Sequence, residues 1–302
     1  MPSFRAVPVR VRVPATSANL GPGFDSAGLA LSLYDDVVVR VSDSGLVVDV
    51  AGEGAGEVPR DERHLVVTAL RAAFDRLGGQ PPGLEVACVN RIPHARGLGS
   101  SSAAIVSALV AARALVVDGE QTLDDEACLD LATALEGHPD NVAACLRGGL
   151  TFAWTQDGRP QVLRLEAHAD LAPVAFVPAT HSSTAEVRAL LPTTVPYADA
   201  VRNASRAALL SHALTIDPSL LLAATQDRLH QTYRAPAMPQ TAELMAALRA
   251  RGVPAVVSGA GPTVLALTTA DTRAAVVEGW WSRWTVMELE VEPRGAQVLP
   301  AS

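Results

Sequence analysis

An α+β fold in two halves is predicted by three features of the sequence. Its short apolar segments alternate with period two and fall in hairpin-like pairs, and its helical segments are gathered in groups instead of alternating one for one with strands. Of its 302 residues, 49% are hydrophobic and 19% charged, enough to bury a large core and too apolar for a disordered tail. The division falls near residues 155–165, giving expected domains 1–160 and 161–302.

Residues 7–13 open the first half as a strand, in which Val7, Val9, Val11 and Val13 alternate with Pro8, Arg10 and Arg12. Strands follow at 37–41 and 46–50, a helix at 62–77 and a strand at 84–90. A glycine-rich loop leads into a helix over 101–117, and a second helix spans 124–135. After Gly148-Gly149 come short strands at 150–154, 162–165 and 174–177. The second half turns helical. Ser183-x-x-Glu186 forms a capping box, and helices follow at 197–214, 218–225 and 241–251. Strands return at 255–257 and 264–268, Asp271 caps a last helix running through Trp284, and a strand at 286–291 closes the chain.

All 24 basic residues are arginine, set against 32 acidic ones, for a net charge of −8. That sign argues against a nucleic-acid or anionic-membrane binder and for small-molecule partners. Without lysine, Schiff-base chemistry and lysine-dependent phosphate loops are excluded. Anions must be held by arginine, backbone N–H groups or a metal. Cys88, Cys128 and Cys145 lack CxxC spacing, which speaks against a disulfide framework or a cysteine-rich zinc site and fits a reducing cytoplasm. The first residues hold no apolar run of signal-peptide length, and later apolar runs stop short of membrane-spanning length. Trp280, Trp281 and Trp284 read either as an exposed patch between copies of a homodimer or as core packing.

Four clusters carry polar chemistry. The strongest is Pro93-His94-Ala95-Arg96-Gly97-Leu98-Gly99-Ser100-Ser101-Ser102-Ala103, between a strand and an amphipathic helix. Its glycines permit close backbone approach, and the following helix start offers free N–H groups to a phosphate. A plain strand-to-helix turn capped by serine is the alternative. The second, residues 14–25, places Asn19 and Asp25 among turn formers; they suit an ammonium group or hydroxyls, or satisfy the turn itself. The third, Glu136-Gly137-His138-Pro139-Asp140-Asn141, joins two helices with Asp140 as expected N-cap. His138 has no HxxxH or HxH partner, so it reads as a capping or substrate-contacting imidazole instead of a metal ligand. The fourth is the glycine turn Ser258-Gly259-Ala260-Gly261-Pro262.

In this order the four clusters resemble the GHMP family of small-molecule kinases. The stretches PATSANLGPGFDSAG and EGHPDN are similar to members acting on L-homoserine. The resemblance covers about Val11 to Gly261. It implies a ribosomal-protein-S5-like N-terminal half, a ferredoxin-like C-terminal half, and ATP with Mg²⁺ in a cleft between them. The activity implied is phosphorylation of the homoserine hydroxyl on the way to threonine. Residues 93–103 match the phosphate-binding loop, with Ser101 at the magnesium-binding serine and Arg96, in place of a small residue, adding a cation beside the phosphates. The family's magnesium-binding glutamate falls at Asp130, with Glu136 as the alternative. Asn19, Asp25, His138, Asn141, Thr184, Arg188, Arg234 and Gly259 match positions around the amino acid. An amide at Asn141 implies a mechanism without a strong base, in which Asn141 orients the hydroxyl. The rivals are a GHMP kinase for another alcohol and a non-catalytic metabolite sensor on the same fold.

Overall fold

The structure, a computed structural model, describes residues 2–279 and 282–300. In chain order the first half runs β1 (Val9–Ala18), β2 (Ala27–Ser42), β3 (Gly45–Gly52), α1 (Leu65–Arg76), β4 (Gly83–Asn90) and α2 (Ser100–Leu115). It continues through α3 (Gly119–Thr122), α4 (Asp125–Glu136), α5 (Pro139–Arg147), β5 (Leu150–Gln156) and β6 (Arg159–Leu165). The second half runs β7 (Val174–Pro178), α6 (Thr184–Arg188), α7 (Tyr197–Thr215), α8 (Leu221–Ala224), α9 (Gln231–Arg234) and α10 (Pro239–Ala250). It ends with β8 (Ala255–Val257), β9 (Val264–Ala266), α11 (Ala270–Val277), β10 (Trp284–Glu288) and β11 (Gln297–Leu299).

A seven-stranded sheet carries the order β11-β1-β2-β4-β3, and the β5–β6 hairpin attaches to β2. Only the β3–β4 pair in it is parallel. The alternation of β1 buries Val9, Val11 and Val13, a register shift falls between Pro14 and Ala15, and in the polar end of the strand Thr16 meets Asn141 on α5 while Ser17 meets Ser258. Helix α2 is largely buried because its sequence after the opening serines is mostly alanine, valine, leucine and isoleucine, and it lies between the sheet and α1, α4 and α5. Asp124 caps α4 at the Ala127 N–H, and Gly137 in the left-handed region stops it before α5. A second, antiparallel sheet of order β10-β7-β9-β8 forms the other half, backed by α10 and α11. The mixed, largely antiparallel architecture expected from the sequence is thus present.

Several boundaries differ from the sequence reading. Residue 160 lies inside β6, whose hairpin with β5 stays on the first sheet, and β11 returns there to pair with β1, because strand pairing overrides chain order. Thr269, not Asp271, caps α11, which ends at Val277; Trp284 begins β10, and Trp280 and Trp281 lie outside the described residues. His138 occupies the N-cap of α5, and Asp140 sits in its first turn behind Pro139 at the favoured N1 position. Among the described residues, no helix is long and apolar enough to cross a membrane.

Candidate active site

Two cavities meet at the head of α2. The larger, of about 410 Å³, is lined by residues including Asp35, His64, Asn90 and His94. The smaller, of about 80 Å³, is lined by Asn19, Asp25, His138, Asn141, Arg188 and Arg234. Ala95, Ser100, Ser101 and Ser182 line both.

The loop between them owes its shape to positive φ at Ala95, Gly97 and Gly99. Its carbonyls are drawn into the protein. Ala95 accepts from the Ser182 N–H (3.1 Å), Arg96 from Thr263 (3.3 Å), Gly97 from the Ser258 hydroxyl (2.6 Å) and Leu98 from Thr16 (3.0 Å). Just before the loop, Asp35 Oδ1 accepts the Arg91 and Ile92 N–H groups at 2.6 and 2.9 Å. Burial pushes this carboxyl up to about 6 despite both bonds. The first N–H groups of α2 have no intrahelical partner, and no acidic residue occupies its first turn, so the helix head is open to a phosphate. A Cβ on Gly97 would collide with the Ser258 carbonyl, and one on Gly99 with the Thr16 hydroxyl.

The Ser101 and Ser102 hydroxyls both donate to Glu136 Oε1, at 2.6 and 2.9 Å. Asp130 is elsewhere, in a depression with Arg76, Arg147 and Arg159. Six residues along α4, about 1.7 turns, set it on a different face from Glu136, so the acidic partner of Ser101 is Glu136 and not Asp130. Arg96 also departs from its expected place. Its guanidinium donates to the carbonyls of His94, Pro178 and Ala179 (3.0–3.2 Å), making it a strut from the loop to the end of β7 rather than a cation in either cavity. His94 lines the larger cavity, and its buried Nδ1 has no hydrogen-bond partner among the described residues.

In the smaller cavity, Thr16 Oγ1 donates to Asn141 Oδ1 (2.8 Å), which leaves the Asn141 amide N–H groups as its free face. His138 Nδ1 and the Asn141 N–H share the buried Asp140 Oδ1 at 2.6 and 2.8 Å. The Asp140 bond raises His138 above the usual histidine value. Arg188, on α6, pairs with both Asp25 oxygens at 2.6 and 2.9 Å. Burial raises the Asp25 carboxyl, and Arg188 opposes that. Arg234 is only 2% exposed; its Nη1 reaches His230 Nδ1 (3.1 Å) and the Gly259 carbonyl (3.3 Å), and its Nε is buried without a partner. Asn19 fixes the turn from both ends, donating to the Gly259 carbonyl and accepting the Asp25 N–H. Thr184 starts α6, and its side chain lies outside the described residues.

The fold therefore brings together Asn19, Asp25, His138, Asn141, Arg188, Arg234 and Gly259 from both halves, at one wall with Gly97, Gly99, Ser100 and Ser101. Sequence reasoning missed Thr16, Asp35, Asp140 as the His138 partner, and Ser258 as the brace of the loop. Thr16 and Ser258 stood inside noted clusters, but only their distance from Asn141 and Gly97 reveals the role.

The family model for the GHMP kinase N-terminal domain matches residues 64–149, and that for the GHMP kinase C-terminal region matches residues 202–284. The chain is 61% identical over 299 residues to a homoserine kinase of Streptomyces coelicolor, covering 99% of this chain and 97% of that one. It is 53% identical over 296 residues to one of Clavibacter michiganensis, covering 96% and 93%. A crystal structure of homoserine kinase from Cytophaga hutchinsonii superposes with a TM-score of 0.84 at 26% identity, over 99% of both chains. The mevalonate kinase of L. major shares the fold, with a TM-score of 0.72 at 18% identity over 97% of this chain and 99% of that one. Matched in both halves and along nearly its whole length, the chain belongs to the GHMP kinases and, among them, to the homoserine kinases, which are ATP-dependent phosphotransferases.

Proposed function

We propose that this chain transfers the γ-phosphoryl group of ATP to the side-chain hydroxyl of L-homoserine, yielding O-phospho-L-homoserine for threonine synthesis, through the residues at the two cavities. The observation that carries the reading is their shared wall. The helix head and the Ser100–Ser101 pair face both a cavity of nucleoside size and a small one lined by Asp25, Glu136, Asp140 and two guanidinium groups. A zwitterionic amino acid needs that set, with Asp25 for its ammonium group and Arg188 and Arg234 for its carboxylate.

With Oδ1 held by Thr16, Asn141 offers N–H donors to the acceptor hydroxyl and orients it without taking its proton. Asp140 raises His138 and so favours its cationic form, a partner for developing negative charge. Phosphoryl transfer through a loose transition state needs position and charge neutralisation more than a strong base. Mg²⁺ would supply part of that neutralisation when bound. The Ser101 hydroxyl and Glu136 carboxylate form a hard-oxygen pair suited to it. Among the described residues no group of three or more acidic, histidine or cysteine side chains surrounds them, as fits an ion that takes its other ligands from phosphate and water. The three cysteines are free and buried, their thiols pushed upward, Cys88 to about 12, which suits a reducing cytoplasm.

Coupled ADP release over a panel of alcohols tests the reading. L-Homoserine is expected to be the preferred acceptor, and a preference for mevalonate or a sugar, or no stimulated turnover at all, would overturn it. Arg234→Ala is expected to raise KM for homoserine about 10- to 150-fold with KM for ATP little changed, the loss of a charged hydrogen-bond donor being worth about 1.5–3 kcal/mol. Equal damage to both constants would remove Arg234 from the carboxylate site.

A further inference from the structure

We propose that Phe24 is a positioning residue for the amino acid's carboxylate, its ring holding the Arg188 and Arg234 guanidinium groups together behind the smaller cavity. The inference rests on the arginine clamp proposed above.

The guanidinium carbon of Arg188 lies 5.5 Å from the Phe24 ring centroid and that of Arg234 lies 5.2 Å away. Both are within the range in which the ring quadrupole attracts a cation. Phe24 itself is not among the residues lining the cavity, so it acts through the two arginines. Two like charges brought side by side repel, and burial together with Arg188 lowers Arg234, opposed by Asp25, Asp227 and Asp140; the ring face adds a further attraction for both cations. Arg188 has Asp25 to offset this. Among the described residues Arg234 has the ring nitrogen of His230 and the Gly259 carbonyl as hydrogen-bond partners, and no carboxylate. An aromatic face offers attraction without consuming N–H donors, so the ring takes none of the guanidinium donors that a carboxylate would use.

The ring is held by a second aromatic side chain. His230 stacks on it with centroids 5.0 Å apart and planes 25° apart. His230 Nε2 sits 2.9 Å from the Gly21 carbonyl, so the proton belongs there and Nδ1 is left to accept from Arg234. Burial lowers the His230 pKa and keeps that neutral form. Asn203 donates to the Pro22 carbonyl at 3.0 Å, fixing the turn two residues before Phe24. One aromatic stack thus connects the turn after β1 with α9, and Arg188 on α6 rests against it.

Steady-state kinetics with both substrates varied, on the full chain, test the proposal. Phe24→Leu keeps apolar bulk and removes the ring. KM for homoserine is expected to rise about 5- to 30-fold, the value of one to two cation–π contacts, with KM for ATP and kcat within about threefold of the parent. Phe24→Tyr is expected to restore most of the loss. A parental KM in folded Phe24→Leu, a loss shared equally by ATP, or a Tyr variant as damaged as the Leu one would each sink the idea. If the leucine protein does not fold, fluorinated phenylalanines placed at position 24 keep the outline while weakening the quadrupole. KM should then climb with fluorine count, and a flat series overturns the proposal. Arg234→Ala measured in parallel separates the two claims. A silent Arg234→Ala defeats the clamp, whereas a damaged Arg234→Ala beside silent Phe24 variants defeats only the role of Phe24.

Discussion

Asp35 is a carboxylate that the fold keeps almost out of water, 5% exposed, to hold two backbone N–H groups ahead of the phosphate loop. Its folded value of about 6 lies above the unfolded value of about 3.9. Between those values the folded protein retains the proton that the unfolded chain has released. The stability from this group is therefore present at low pH and lost as pH rises through the window, by roughly 3 kcal/mol at most. Asp35→Asn keeps an acceptor oxygen and removes the buried charge. It is expected to raise the unfolding free energy at pH 7.5, by up to about 3 kcal/mol, and to leave it nearly unchanged at pH 4. Urea titrations at the two pH values check this; an equal effect at both would show that the charge is not the cause. The His138–Asp140 pair has the same sign for a different reason. Asp140 raises the imidazole, so the pair's contribution is complete below the ordinary value of about 6.5 and fades as pH climbs past the raised one. Asp140→Asn should bring the His138 titration, followed by NMR of labelled histidine, down to or below that ordinary value. His138→Gln should retain most of kcat, and a fall of about 10³ or more would make His138 a general base.

Helix α2 and the loop that precedes it work as one element, since the helix supplies the N–H groups and the loop's left-handed residues bring them to the cleft. Gly99 is the hinge of that arrangement, with φ of +72° and a neighbour, Thr16, that leaves no room for a Cβ. Gly99→Ala is expected to cost about 1 kcal/mol from backbone conformation alone and to push Thr16 away from Asn141. ATP affinity should fall at least about tenfold, and kcat should fall with it because Asn141 loses its orienting partner. Binding of a fluorescent ATP analogue and circular dichroism check the pair of effects. Parental ATP affinity in a folded variant would remove the loop from the nucleotide site.

Across the whole molecule, the site exists only where the halves touch. The Ser258 hydroxyl, in the turn between β8 and β9, lies 2.8 Å from the Ser17 hydroxyl and donates to the Gly97 carbonyl at 2.6 Å. Asn19 crosses the other way to the Gly259 carbonyl. The glycine turn of the second half thus braces the proposed phosphate loop of the first. Ser258→Ala leaves a buried carbonyl and hydroxyl short of a partner, at about 1–3 kcal/mol. A lower melting temperature is expected, together with a raised KM for ATP, although residue 258 belongs to the second half. A lower melting temperature with unchanged KM would mean that the brace is structural only.

Much of this was legible in the chain itself. The α+β character, the run of strands and helices and the candidate phosphate loop follow from local periodicity and from glycine and serine chemistry at a helix start, while the proposed amino-acid set comes only through the family resemblance that motif order carries. These are short-range properties, written within about a dozen residues each. What the chain alone left undecided depends on distances between residues far apart in sequence. Asp130 against Glu136 is a question of which turn of α4 faces Ser101, and the structure answers Glu136. Arg96 has the charge for a phosphate ligand, but the β7 carbonyls lie close enough to claim its donors. The ends of the first sheet were hidden because β11 pairs with β1 across nearly the full length of the chain, and no local pattern in either strand names its partner. Local chemistry determined which residues are able to do the work, and tertiary packing decided which of them stand within reach, because hydrogen bonds act over about 3 Å whatever the separation along the chain.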